Sequence, residues 1–465
     1  MRCWLRNLLY LLALFLAAPW LLRRRLKATR HGAGLRQKIL GPRAEELNWG
    51  TSPMPEQTPR IWLHGVSVGE IQLLQPLLDE LRRRHPTAHF AVSTTTFSGM
   101  QLARKLMPSE VPLFYFPWDF SWAVRRTLDV VRPTLLVLGE LELWPNLIEF
   151  ASRQGIPIAV VNGRLSERSF VGYQRWAWLT RSMFSKLSLV AAQNETYAHR
   201  FRACGAVRNT RVTGCVKFDN VAFDRQHPQV LQLRKLVGLL PQHRVWLVGS
   251  TQSPEELAAA EAWQELRQQY PMLKLIIVPR HPDRFDEVHE QLRQTQAQTR
   301  IVRRSAIQDT PLDASDWDIV LVDSVGELKW WWGVAELALV GGSFGRRGGQ
   351  NMLEPAAYGA NVAFGPHTKN FRDIVELLLA AEGATRLAGL EALRPWLQDE
   401  LRDPRSGRER GQRARAVIAT QQGALRRTVE ALEPFVLSGL PSRTLPARQG
   451  EPLADSPNPR DRNAV

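Results

Sequence analysis

Residues 337–359 read LALVGGSFGRRGGQNMLEPAAYG, and this stretch decides the fold class. Leu337–Val340 is a short apolar run of the kind a buried parallel strand requires. Five glycines then flank the basic pair Arg346 and Arg347, and a helix carrying Glu354 is expected from about Asn351. Val362–Phe364 opens the next strand. Strand, glycine-rich turn, helix and strand make a parallel α/β unit with its ligand end at the turn. Glycine supplies positive φ, and a helix start offers N–H donors and positive potential to a phosphate. Glu354 is placed to accept from ribose hydroxyls. Neither GxxxxGK with a following Ser or Thr nor GxGxxG is present, so the stretch is not a P-loop or a dinucleotide fingerprint.

The same alternation extends outward in both directions. Upstream, Val245–Val248, Leu273–Val278 and Asp318–Val322 read as strands with helical sequence between them. Before a polar break over about residues 220–244 lies a second series: Ile61–His64, His89–Thr94, Val111–Phe116, Thr134–Leu138, Ile156–Val161 and Leu187–Ala192. Strand–helix alternation implies right-handed crossovers and doubly wound parallel sheets. The fold class is therefore α/β with two such domains, 31–220 and 221–435. They are preceded by an N-terminal segment, 1–30, and followed by a Pro- and Arg-rich tail, 436–465, read as disordered. Ligands bind outside the C-terminal strand ends of such sheets, so two domains facing each other are expected to form a cleft there.

Of 465 residues, 61 are Lys or Arg and 45 Asp or Glu, a net charge of +16. Residues 1–60 hold eleven basic and three acidic residues, and residues 401–465 twelve and seven. The surplus lies at the ends and not on the body, which argues against a nucleic-acid groove. Cys3, Cys204 and Cys215 show no CxxC spacing, so neither a disulfide framework nor a cysteine metal site is expected. The N-terminal surplus abuts the apolar run Leu8–Leu22, which is followed by Arg23, Arg24, Arg25, Lys27 and Arg30. Fifteen helical residues span about 22 Å, short of the roughly 30 Å hydrocarbon core. A cleaved signal peptide conflicts with Pro19-Trp20 and arginines where a small-residue cleavage site belongs. A core helix conflicts with the abutting charges. The expectation is a membrane anchor helix, with the basic flank keeping the body cytoplasmic and drawn to anionic lipid.

Polar motifs fall just after strands. HGVSVGE, His64–Glu70, ends the first strand of the body; its small residues permit a tight turn, and Glu70 sits in the first turn of a helix. It is either an ordinary first-turn glutamate or a general base for a hydroxyl. LGELELWPN, Leu138–Asn146, sets Glu140 and Glu142 two apart, with Glu140 nearer the strand. VTGCVKFD places Lys217 near the interdomain break, VPRHPDRF puts Pro279 and Arg280 at a strand end, and DSVGEL carries Gly326. Arginine suits phosphate recognition by its planar fork. Asp316-Trp317-Asp318 precedes its strand and reads as a turn and not as a metal motif. No His/Cys/Asp cluster has metal-ligand spacing, and no metal or other cofactor is expected.

Taken together in this order, these motifs, with Gly249–Thr251 and FGPHTKNFRD (Phe364–Asp373), make the chain resemble the 3-deoxy-D-manno-octulosonic acid (Kdo) transferase family. The resemblance extends from the N-terminal segment to about residue 435. It implies a two-domain GT-B glycosyltransferase that takes Kdo from CMP-Kdo and delivers it to a lipid A precursor at the cytoplasmic face of the inner membrane, in lipopolysaccharide biosynthesis. Carried over motif by motif, Glu70 is the base, and Glu140 and Lys217 stabilise the transition state. Pro279, Arg280, Val325, Gly326, Glu327, Asn351, Met352, Leu353 and Glu354 hold CMP. Val325 stands where the family commonly has methionine, and Gln350 where many members have histidine. Two other readings remain: a different GT-B enzyme, such as a UDP-sugar lipid glycosyltransferase or an epimerase, and a non-catalytic membrane-surface scaffold.

Overall fold

The computed structural model describes residues 3–25, 34–47, 58–207, 209–219, 221, 224–296, 298–308 and 310–438. The expected tail therefore lies, from residue 439, outside the described residues, as does the basic flank from residue 26 to 33. The chain divides into two compact units. The first comprises residues 1–191, 197–211 and 429–465, and the second 192–196 and 212–428.

Each unit is built on a seven-stranded sheet. In the first, β1 (Arg60–His64), β2 (His89–Thr94), β3 (Leu113–Tyr115), β4 (Leu135–Gly139), β5 (Ile158–Gly163), β6 (Leu189–Ala192) and β7 (Thr210–Val212) lie in the order β3-β2-β1-β4-β5-β6-β7. The second holds β8 (Arg244–Thr251), β9 (Leu273–Pro279), β10 (Ile301–Arg303), β11 (Ile319–Leu321), β12 (Leu337–Val340), β13 (Asn361–Phe364) and β14 (Ala384–Arg386), in the order β10-β11-β9-β8-β12-β13-β14. The strands pair in parallel, with β1 between β2 and β4, and β8 between β9 and β12. The strand order reverses direction at β1/β4 and at β8/β12. In such sheets a crevice forms at the reversal, outside the C-terminal strand ends.

Continuous apolar strands follow from burial on both faces. In the second unit Leu247, Ile276, Val320, Val340 and Val362 enter one core, while Trp246, Leu275, Ile277, Leu339 and Ala363 enter the other. Successive residues thus serve opposite layers, each fully buried aliphatic side chain contributing about 1.5–3 kcal/mol. The three strands absent from the sequence reading, β7, β10 and β14, are three-residue segments, each containing an arginine. Such short polar edges carry little periodic signal.

The N-terminal helix spans Cys3–Arg25. No helix among the described residues is long and apolar enough to cross a membrane, in keeping with the shortness of the apolar run, and the expected membrane anchor is not shown by the fold. In its first turns Arg6, Asn7 and Tyr10 make polar contacts to the first unit. Arg6 Nη1 donates to Pro145 O (3.1 Å) and Asn146 Oδ1 (3.3 Å). Asn7 Nδ2 donates to Ser121 Oγ (2.7 Å), and Tyr10 Oη donates to Asp119 Oδ2 (3.0 Å). Trp4, Leu8, Leu12 and Phe15, at helical spacing, are exposed. The helix therefore turns polar groups toward protein and apolar groups outward.

Candidate active site

In the first unit the ends of the adjacent strands β1 and β4 carry the carboxylates. Ser67 is the N-cap of the helix Val68–Arg84, and Glu70 is its third residue. The Ser67 hydroxyl donates to Glu70 Oε1 (2.9 Å), the Val66 N–H donates to Oε2 (2.7 Å), and the Glu70 N–H donates back to Ser67 Oγ (3.4 Å). This closely related form of the capping box fixes the carboxylate as well as the helix start. Two glycines make room for it. A Cβ on Gly65 would lie 2.9 Å from Glu70 Cβ, and one on Gly139 would lie 3.3 Å from His64 O and 3.6 Å from Glu70 Oε2. Glu70 is 8% exposed. Burial raises its pKa most; the Val66 and Ser67 hydrogen bonds oppose this and the Glu140 charge adds to it, leaving the group above its ordinary range. A carboxylate so held is a better base than one in water.

Glu140 follows β4 directly, at φ 52°, with its N–H donating to Val161 O (2.9 Å). Left-handed backbone at a non-glycine residue is sparsely populated, and such strain gathers at functional sites. Glu142, for which the sequence reading proposed no role, has its pKa pushed up to about 7, by burial first and then by the charges of Glu70 and Glu140. Three carboxylates thus converge, and two of them are held above their usual range. Beneath them His64 stacks on Phe116 at 3.8 Å between ring centroids. Its Nδ1 lies 3.0 Å from Ser93 Oγ. Burial pushes its pKa down to about 3, so the first residue of the motif is a neutral core group.

The segment after Glu142 is clamped. Asp119 accepts from the N–H groups of Asn146 (2.8 Å) and Leu147 (2.9 Å), capping the helix Pro145–Arg153. It also accepts from Tyr10 of the N-terminal helix. Burial pushes Asp119 up to about 6.

In the second unit, residues 250–251 end β8, while Arg280, the 323–327 segment and the glycine-rich turn follow β9, β11 and β12. These are neighbours in the order β11-β9-β8-β12, so the separate motifs meet along one sheet edge. The turn after β12 is organised by a residue the sequence reading missed. Glu255, buried at the start of the helix Glu255–Arg267, accepts from the N–H groups of Gln252 (2.8 Å), Gly342 (2.8 Å), Ser343 (3.2 Å) and Phe344 (3.2 Å). A Cβ on Gly341 would lie 2.6 Å from Glu255 Oε2, so this close approach needs glycine. These turn N–H groups are consequently engaged by the protein's own carboxylate.

The helix expected from Asn351 begins two residues later and is short, Leu353–Ala357. Asn351 is used to start it. Its Oδ1 accepts from the Leu353 N–H (3.1 Å), and its Nδ2 donates to Glu354 Oε1 (3.0 Å). Met352 and Leu353 have core side chains, so only their backbone faces other tasks. Burial raises the pKa of Glu354. Pro279 is buried at the end of β9; Arg280 is exposed, and its N–H donates to Thr251 O (3.1 Å). Val325 is exposed, Gly326 stands at φ 94°, and Glu327 binds Arg304 at 3.1 Å and accepts from Ser324 Oγ at 2.6 Å. Lys217 is exposed on the one-turn helix Val216–Phe218. Asp316 closes a turn with Asp313, and Asp318 binds Arg300 at 3.0 Å. Among the described residues no group of three His, Cys, Asp or Glu side chains is placed to hold a metal ion.

Two doubly wound parallel units, with polar loops gathered at the C-terminal strand ends, are the architecture of GT-B nucleotide-sugar enzymes. The fold is shared with UDP-GlcNAc 2-epimerase from Neisseria meningitidis solved with UDP-GlcNAc, at 14% identity and TM-score 0.54, covering 80% of this chain and 99% of that one. Residues 40–220 match the family model described as 3-deoxy-D-manno-octulosonic-acid transferase (kdotransferase). The 3-deoxy-D-manno-octulosonic acid transferase of Bordetella pertussis is 33% identical over 444 residues, 92% of this chain and 99% of the relative. That of Haemophilus influenzae is 32% identical over 381 residues, 81% of this chain and 87% of the relative. The chain belongs to the Kdo transferase family and is a glycosyltransferase.

Proposed function

We propose that the chain moves Kdo from CMP-Kdo to a lipid A precursor with inversion, as a step of lipopolysaccharide biosynthesis, and that Glu70 is the general base. The observation carrying the base assignment is its buried carboxylate, oriented by Val66 N–H and Ser67 Oγ and held above the usual carboxylate range. An acceptor hydroxyl oxygen attacks the anomeric carbon, its proton passes to Glu70, and the bond from that carbon to the phosphate oxygen breaks, releasing CMP. Charge develops on the departing phosphate, where fixed cationic groups give the largest stabilisation. Arg280 and Lys217 are assigned to it, and Glu140 to the positive charge developing on the sugar. Donor binding falls to Pro279, Arg280, Val325 to Glu327 and Asn351 to Glu354, in part through backbone groups. Transfer that persists in EDTA is the expected result for a phosphate met by these side chains.

The N-terminal helix is assigned to the surface of the inner membrane, on its cytoplasmic side. Its outward Trp4, Leu8, Leu12 and Phe15 support an interfacial helix, and Arg23 to Arg25 supply attraction to anionic head groups. The testing experiment is incubation with CMP-Kdo and a tetra-acylated lipid A precursor, read by product mass. Glu70→Ala is expected to abolish product while CMP-Kdo still binds. Turnover retained by that variant would remove Glu70 from the mechanism, and product formed only from UDP-sugars would remove the donor.

A further inference from the structure

FGPHTKNFRD begins at the last residue of β13, and Arg346, from the turn after β12, lines a cavity with it. The two loops wall a cavity of about 590 Å³ within the second unit. Its lining includes four cations, Arg346, Lys369, Arg372 and Arg386, against one carboxylate, Glu376. None of the four makes a side-chain hydrogen bond or ion pair among the described residues. Elsewhere in this unit, arginines that border loops are paired: Arg284 with Glu256, Arg303 with Asp323 and Arg304 with Glu327.

The walls are fixed before any ligand arrives. The Asn370 N–H donates to Gly348 O (3.0 Å), Asn370 Nδ2 to Arg347 O (2.9 Å), and the His367 N–H to Ser343 O (2.9 Å). Gly348 stands at φ 93°, and a Cβ there would lie 2.6 Å from Lys369 Cγ and 2.8 Å from Cε. The glycine lets the lysine stem lie across the turn, which limits where its ammonium can go. Gly348 is also only three residues before Asn351, at most about 11 Å of chain.

We infer that this basin receives the Kdo moiety of the donor, its cations taking the sugar's carboxylate. This rests on the donor reading above. Kdo is an acid whose carboxylate sits on the anomeric carbon, beside the phosphate linkage, so its recognition calls for cations close to the phosphate site and distinct from it. A neutral hexose would have no use for four unpaired cations. Guanidinium and ammonium groups in a prearranged wall supply charge-assisted hydrogen bonds to such a group.

The experiment measures binding of CMP-Kdo and of CMP alone to the full chain in detergent, together with donor and acceptor KM, for Lys369→Ala, Arg372→Ala and Arg372→Lys. Both positions are exposed, so folding should be retained. The alanine variants are expected to weaken CMP-Kdo ten- to a hundredfold and CMP by less than twofold, with the loss in donor KM and partial rescue by Arg372→Lys. Equal losses for both ligands would make the basin part of the CMP phosphate site and overturn the inference. So would no loss for either, or a rise confined to acceptor KM, which would mark a site for acceptor or lipid phosphates. Wild-type chain that fails to bind CMP-Kdo would instead overturn the donor reading, and the basin's ligand with it.

Discussion

Glu142 offers the sharpest test of the electrostatics at the carboxylate cluster. Burial, and then the charges of Glu70 and Glu140, push it from 4.5 to about 7 in the folded first unit. Between those two values the folded chain keeps a proton that the unfolded chain releases. Stability must therefore fall as pH rises through this window, with the whole cost present above pH 7. A rise of about 2.5 at about 1.36 kcal/mol each gives roughly 3 kcal/mol. Glu142 is partly exposed, so solvent screening reduces this to about 1–3 kcal/mol. Glu142→Gln keeps the shape and removes the titration. It should match wild type at about pH 3.5, below the unfolded value, and exceed it by that amount at about pH 8. Two units need not unfold together, so the readout is hydrogen exchange of the helix Pro145–Arg153, corrected for the intrinsic rate at each pH. Equal stabilisation at both pH values would mean that packing and not charge is responsible. No stabilisation at pH 8 would mean that the cluster is wet and its carboxylates ordinary.

Three further outcomes are expected. Glu255→Ala leaves four N–H groups around the glycine-rich turn without their acceptor; the expected loss is about 3–5 kcal/mol, measured by denaturant unfolding, with Glu255→Gln losing less. In Gly249→Ala the new Cβ would lie 2.5 Å from two ring atoms of Trp332; overpacking of about 1–3 kcal/mol should lower the melting temperature without changing the pH profile of transfer. The Glu140 charge raises Glu70, so Glu140→Gln should move the acidic limb of kcat/KM to lower pH, the ionised base persisting further into acid; a limb unmoved by this change would separate the two carboxylates functionally.

What could be read from the sequence follows from where each signal is generated. Strand β9 is buried along its whole length and serves two cores, so it had to be a continuous apolar run and was legible as one. Strand β14, Ala384–Arg386, pairs on one side only and ends in an exposed arginine, so nothing local distinguishes it from a loop. Motifs at strand ends were legible through their glycines, because close approach leaves a mark at the residue that approaches. Glu255 left no such mark: the bond from the Gly342 N–H crosses 87 positions, and within its own segment it is an ordinary first-turn glutamate. The polar face of the N-terminal helix left no local mark either, since what Arg6, Asn7 and Tyr10 bind lies more than a hundred residues away.

Glu255 also changes how anion recognition in the second unit has to work. A glycine-rich turn after a strand ordinarily presents backbone N–H groups to a phosphate, at short range and with little sensitivity to salt. Here Gly342, Ser343 and Phe344 direct theirs at an internal carboxylate, which occupies those donors and opposes their positive potential. The helix that follows has five residues, and its first N–H donates to Asn351. On the assignments proposed above, recognition of an anionic donor then falls mainly to exposed side chains, Arg280 at one strand end and Arg346, Lys369 and Arg372 around the basin. Exposed cations act through solvent and are screened over about 8 Å at physiological ionic strength. Donor affinity should therefore decline steeply with added salt, whereas a site built on backbone donors would hold its affinity. A flat salt dependence for CMP-Kdo would require that Glu255 yields its N–H groups when donor binds.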